Sequence, residues 1–232
     1  MRRDAPEVVE LPVASELPAD VGTIVAALDP FLTDERRRRI AEVIAARTRS
    51  VVPVLDGLID PHNVAAVLRS ADAFGVQEVH LLTGPEGFVA SRRVAQGADR
   101  WIDVIEHPSA AACVQALHAS GHKVYVAAMN GTLEPAQLAL EAKVAIVFGN
   151  EHAGVSPEMQ ALADGTYTIP MRGFVQSLNV SVAAAITLFH ATQGRPGELS
   201  APERELLSAR YLLAGVPRAL DLLQEHLRRR DA

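Results

Sequence analysis

Three stretches of the chain hold polar side chains at spacings that could serve chemistry. In VAIVFGNEHAGVS an apolar run ends at Gly149, and Glu151 and Gly154 complete a G-x-E-x-x-G pattern. A glycine at the end of a buried strand lets a ligand reach backbone atoms closely. Glu151 either serves such a ligand or is a polar loop residue ahead of the helix that Ser156 and Pro157 open. His152 beside it is read as neither metal ligand nor base. In TIPMRGFVQSLNVSVAAAITLF a short β-type segment, Tyr167 to Ile169, stops at Pro170 and an irregular loop leads to Ser177. Ser177 is a good helix N-cap, so a helix is expected from Leu178 with Leu178, Val182, Ile186 and Phe189 as a core stripe. Unpaired N–H groups at its start suit a polar or anionic ligand, and Ala183 to Ala185 keep it thin. In DPHNVAAVLRSADAFGV the spacing predicts a helix from Asn63 to Phe74 with Val64, Val67, Leu68, Ala71 and Phe74 on one face. Arg69 lies nearly opposite that stripe. Spacing alone reads it as a solvent-facing arginine, and the same face can meet RNA or a second subunit.

The elements that must position these residues alternate. Strands are expected at Val51 to Asp56, Glu78 to Leu82, Trp101 to Glu106, Lys123 to Met129 and Lys143 to Phe148. Helices are expected at Ser91 to Gly97, Ser109 to Ser120 and Ser156 to Asp164, with TGPEGF and NGTLEP as loops. This order predicts an α/β fold, a parallel sheet with helices on both faces and a ligand at the carboxyl ends of the strands. The usual nucleotide glycines, G-x-G-x-x-G and G-x-x-x-x-G-K-[ST], are missing, which disfavours an ordinary NAD enzyme or ATPase. The boundaries read as 1–50 for an N-terminal extension and basic helix, 51–194 for the main domain and 195–232 for a C-terminal helical extension. Residues 1 to 30 are expected to be weakly structured. Thr33 or Asp34 caps a helix through Arg49, and two further helices, Pro202 to Leu213 and Pro217 to Arg230, meet at Gly215.

The 232 residues carry a net charge of −6 with 49% hydrophobic and 22% charged side chains, which fits a globular chain and not a generic nucleic-acid coat. The distribution is uneven. Residues 35 to 49 hold Arg36, Arg37, Arg38, Arg39, Arg47 and Arg49 against two glutamates, whereas 51 to 194 carry seven basic and thirteen acidic residues. Each arginine cluster is either a phosphate-binding surface or a solvated helix face. Cys113, the single cysteine, can form neither an internal disulfide nor a multi-thiolate metal site and reads as a small core residue; no metal is expected. No apolar run reaches the ~18 residues of a membrane span, so a cytoplasmic protein is expected.

Taken in chain order, DPHNVAAVLRSADAFGV, VAIVFGNEHAGVS and TIPMRGFVQSLNVSVAAAITLF resemble the first, second and third signatures of the SpoU (TrmH) branch of the SPOUT class of RNA methyltransferases. The resemblance implies a C-terminal trefoil knot, S-adenosylmethionine as cofactor, a homodimer, and methyl transfer to a ribose 2′-oxygen of RNA. Its closest branch acts on the D-loop guanosine at position 18 of tRNA; ribosomal RNA, another tRNA position, or a non-catalytic RNA- or cofactor-binding role are the alternatives. Carried over by position, Met129, Gly149, Ile169, Met171 and Leu178 would cradle the cofactor. Arg69, Asn63, Glu151, Ser177 and Asn179 would form the reaction centre. Arg36 to Arg39, Arg47, Arg49 and Arg228 to Arg230 would grip RNA phosphates. For Arg69 the family role is that of a base, yet making neutral guanidine at pH 7 costs about 7 to 9 kcal/mol; a charged arginine that grips the phosphate, with water taking the proton, is the alternative.

Overall fold

The computed structural model describes residues 17–58, 60–82 and 101–230. Six strands, β1 (Val51–Asp56), β2 (Glu78–Leu82), β3 (Asp103–His107), β4 (Lys123–Ala127), β5 (Val144–Gly149) and β6 (Gly165–Tyr167), form one sheet in the order β3-β2-β1-β5-β4-β6. Every pairing is parallel. The unbroken apolar runs of β1 and β5 follow from this: both faces of a parallel sheet are covered, so alternate residues enter different cores. Val51, Leu55, Ile146 and Phe148 pack on one face beneath α3 (Pro61–Ala73) and α7 (Val180–Thr192). Val52, Val54, Ala145 and Val147 pack on the other beneath α4 (Ala110–Ala119) and α6 (Pro157–Leu162).

The strand order reverses between β1 and β5, so the loops after these strands diverge and open a crevice at their carboxyl ends. A short helix, α5 (Pro135–Leu138), interrupts what the sequence presents as the loop after β4. The predicted helix at 91 to 97, the loop at 83 to 88 and residues 1 to 16 lie outside the described residues.

Two expectations need correction. Residues 21 to 28 are not weakly structured: Val21–Leu28 form α1, capped by Asp20, whose carboxylate accepts from Thr23 N at 2.9 Å. Ile24, Ala27 and Leu28 of α1 are buried against α8 (Ala201–Gly215) and α9 (Ala219–Arg230) in a separate apolar cluster. The basic helix α2 (Asp34–Ala45), capped by Thr33, ends before Arg47. Beyond it Thr48 joins the sheet margin through a bridge to Val76.

Candidate active site

The crevice is furnished by the two loops that diverge at the switch point. The Asn150 carboxamide donates to Gly57 O at 2.9 Å, tying the β5 loop to the β1 loop. Its Oδ1 accepts from His152 N and Ala153 N, both at 2.9 Å, and its backbone exchanges hydrogen bonds with Gly154. Gly154 has φ +72°, and a Cβ on Gly149 would lie 2.2 Å from Gly154 C. Both positions of the G-x-E-x-x-G pattern therefore need glycine: one for its left-handed backbone, the other for the close approach of two chain segments. This hairpin-like turn presents Glu151 to solvent. Asn150 was not singled out in the sequence; its signal was an Asn inside a turn flanked by glycines.

Three predicted residues from distant parts of the chain meet here. Asn63 Nδ2 donates to Glu151 Oε1 at 2.6 Å, and Asn179 Nδ2 donates to Asn63 Oδ1 at 3.1 Å. Asn179 Oδ1 in turn accepts from Ser181 N at 2.8 Å and Ser181 Oγ at 2.5 Å. Asn179, not Ser177, is thus the N-cap, and α7 starts at Val180. The carboxamide serves both ends: its oxygen satisfies the helix start while its nitrogen reaches α3, which a serine hydroxyl is too short to do. Ser177 stays in the exposed loop with no hydrogen bond to the described residues.

Beside this chain lies a cavity of about 770 Å³, bounded by the ends of β4, β5 and β6 and by the 168–179 loop. Met129, Gly149, Ile169, Met171 and Leu178 all line it, as do Glu151, Ser177 and Asn179. Its volume falls within the range of small-molecule sites. Its wall joins backbone-rich turns to apolar side chains, which suits a ligand with an apolar body and polar ends.

Arg69 does not share that cavity. It is exposed on α3, makes no hydrogen bond or ion pair with the described residues, and borders a second groove of about 440 Å³ with Ala66, Phe74, Ser181, Val182 and Ile186. The expected core stripe of α7 needs correction with it. Val182 and Phe189 are each 46% exposed, and the buried face is Val180, Ala184, Thr187, Leu188 and Ala191. α7 is apolar on nearly all sides, so its periodicity does not select a face.

The arginine set divides. Arg47 is 1% exposed and removed from any RNA contact: its guanidinium pairs with Asp72 at 2.5 Å and donates to Tyr211 Oη at 3.1 Å and Val76 O at 3.2 Å. Arg49 spans Glu78 at 2.5 Å and Asp103 at 2.6 Å. Burial works against its charge, but Asp103 and Glu78 outweigh that and hold it above the ordinary arginine value. Arg37 pairs with Asp29 and Asp34, and Arg36 stacks 5.5 Å from the Trp101 ring centroid. Arg38 and Arg39 stay exposed on α2. Arg229 pairs with Glu225 within α9, leaving Arg228 exposed beside it. Cys113 is buried, and burial, then the Asp56 carboxylate, pushes its thiol up to about 12, so it is no nucleophile at neutral pH.

Comparison with known proteins gives this arrangement relatives. Residues 50–189 match the profile of the SpoU rRNA Methylase family. The tRNA (guanosine(18)-2′-O)-methyltransferase of Thermus thermophilus is 39% identical over 164 residues, 70% of this chain and 84% of that protein. The crystal structure of the A. aeolicus TrmH/SpoU tRNA modifying enzyme superposes with a TM-score of 0.66 at 27% identity, over 77% of this chain and 96% of that one. The SpoU methyltransferase AviRb of Streptomyces viridochromogenes, solved in complex with AdoMet, gives a TM-score of 0.54 at 26% identity, over 66% and 60% of the two chains.

Proposed function

The chain belongs to the SpoU methylase family, and from that premise we propose that it transfers a methyl group from S-adenosylmethionine to the ribose 2′-oxygen of guanosine 18 in the tRNA D-loop. The observation that carries this reading is the hydrogen-bonded chain Asn179–Asn63–Glu151 at the rim of the 770 Å³ cavity.

The cofactor supplies an activated methyl on a sulfonium, so the protein's task is alignment and removal of one hydroxyl proton. The residues present fit that cofactor. Gly149 admits no Cβ and brings backbone groups to the cavity wall, and Met129, Ile169, Met171 and Leu178 give apolar contact. Asn63 fixes the Glu151 carboxylate through Oε1; Oε2 accepts no hydrogen bond from the described residues and would be the oxygen available to the ribose. Asn179 and Ser177 orient the cofactor and the ribose. Arg69 grips the phosphate beside the reacting hydroxyl.

Arg69 borders a groove of its own, so in this reading it acts at the site of a second copy. The partly exposed apolar stripe Val182, Ile186 and Phe189 on α7, continued by Phe74 just after α3, is what that copy covers, and the homodimer completes the centre. Arg38, Arg39 and Arg228 are the phosphate contacts, with Arg36 and Arg37 beside them.

We also read the contact of the β4–α5 loop with β6 as part of a trefoil knot. Leu133 in that loop forms a parallel bridge to Tyr167, and a Cβ on Gly131 would stand 2.1 Å from Tyr167 C, so the two segments run side by side in direct backbone contact. No helix among the described residues is long and apolar enough to cross a membrane, and the cytoplasm, where tRNA resides, is the proposed location.

The family description names ribosomal RNA, which makes it the second reading. Labelled S-adenosylmethionine offered with unmodified tRNA and ribosomal RNA transcripts decides between them. Label in tRNA alone is expected; label confined to ribosomal transcripts would move the substrate, and cofactor binding without label in either would leave a non-catalytic role.

A further inference from the structure

We propose a second site, remote from the methyl-transfer cavity: a structural site for a Zn²⁺-class ion held by His80, His107 and Cys113. His80 on β2 and His107 on the edge strand β3 are diagonal neighbours, since His80 pairs with Ile105 in the ladder and His107 lies two residues on. α4 lays Cys113 over the same face. His107 Nε2 lies 3.0 Å from His80 Nδ1, Cys113 Sγ lies 3.9 Å from the same atom, and the three donor atoms fall within 4.8 Å of one another. All three side chains are buried.

The donor set and spacing match the chemistry. Zn²⁺ binds imidazole nitrogen at about 2.0–2.1 Å and thiolate sulfur at about 2.3 Å, so tetrahedral angles put N···N near ~3.3 Å and N···S near ~3.6 Å. The 3.0 and 3.9 Å separations bracket those values, and rotation of Cys113 Sγ toward His107 closes the triangle. The other ring nitrogen of His80 has the partner that a metal-bound histidine takes: Nε2 lies 2.7 Å from Glu78 Oε1, and Glu78 is itself held by Arg49. A carboxylate there fixes the tautomer that leaves Nδ1 as a donor to the ion. Binding would replace the His80–His107 hydrogen bond, shift the His107 proton from Nε2 to Nδ1 and release the Cys113 thiol proton to solvent, leaving a fourth coordination position. The ion would staple edge strand β3 to β2 and α4. Burial of the three ligands implies loading during folding.

Because Cys113 is the only cysteine of the chain, a thiolate signature identifies this site. The test is refolding of the full chain with Co²⁺ and, separately, with Zn²⁺, followed by gel filtration, metal analysis and near-ultraviolet absorption. The expected result is one retained equivalent per chain, a thiolate-to-cobalt charge-transfer band in the wild type, and a higher Tm for the Zn²⁺-refolded protein than for the apoprotein. Cys113→Ser and His107→Gln should lose the band and the Tm increment. Absence of a band from wild-type protein refolded with Co²⁺ would overturn the proposal, as would a metal-dependent Tm rise of equal size in Cys113→Ser. The wild-type band decides the matter even where a variant fails to fold, and neither readout depends on methyl transfer.

Discussion

Asn63 and Glu151 stand 88 residues apart in the chain, yet the carboxamide of one donates to the carboxylate of the other at 2.6 Å across the switch point of the sheet. The bond exists because β1 and β5 are central neighbours whose following loops part in opposite directions. It holds one carboxylate oxygen and leaves the other toward the rim.

Glu151→Ala should therefore lower kcat by about 10²- to 10³-fold, within the range of a positioned polar group in proton transfer, while cofactor affinity stays within a few-fold. Asn63→Ala should do the same. The double variant should be little worse than either single one, since both act through one bond. Single-turnover methylation together with calorimetric cofactor titration checks this, and additive losses would separate the two roles.

Arg69 makes no hydrogen bond or ion pair among the described residues, so Arg69→Ala should change stability by no more than about 0.5 kcal/mol and abolish turnover. Mixed dimers give the sharper test. Combining Arg69→Ala with Glu151→Ala subunits should restore activity to one site per heterodimer if the arginine serves its neighbour. A dead mixture of demonstrated heterodimers would place Arg69 in its own subunit's site.

The arginines near α2 should separate by burial. Arg47→Met should cost about 1–3 kcal/mol by removing the donors to Asp72 and Val76 O, a loss moderated because the Asp72 side chain is 35% exposed and Tyr211 Oη keeps its bond to Trp101 O. Arg38→Ala and Arg39→Ala should leave Tm nearly unchanged and reduce the salt slope of RNA binding by about 0.7–0.9 for each phosphate no longer neutralised. Thermal melts and filter binding at several salt concentrations distinguish the two outcomes.

His122 supplies a pH test. Burial depresses its pKa below the ordinary 6.5, although its Nε2–H donates to Arg49 O at 2.9 Å, which acts the other way. A depressed folded value means that the unfolded chain binds the extra proton first. The stabilisation is thus complete above pH 6.5 and is lost as pH falls below it toward the folded value. Tm should decline over that window in the wild type and less steeply in His122→Asn. Below the ordinary carboxylate value of 4.5 a second decline should follow. Glu78 titrates there: burial works to raise its pKa, but His80 and Arg49 hold it below that value.

Much of this architecture was legible in the residues. The runs at β1 and β5 are apolar on both faces, which a covered parallel sheet requires, and Gly149, Glu151 and Gly154 marked the turn above it. The start of α7 was less legible because Ser177 and Asn179, two residues apart, are both good caps, and only the position of Asn63 favours the longer side chain. Arg47 resembles its neighbours in sequence; the end of α2 after Ala45 is what turns it inward. His80 and His107 are 27 residues apart, and no local pattern joins them until β2 and β3 pair.

Methyl transfer to one ribose hydroxyl is read most directly by mapping the product. Unmodified tRNA, incubated with the protein and labelled S-adenosylmethionine, is digested and the 2′-O-methylated nucleotide located. The expected result is a single labelled guanosine at position 18 and no label when that nucleotide is 2′-deoxyguanosine. Label elsewhere in the tRNA, or label that survives the deoxy substitution, would contradict it.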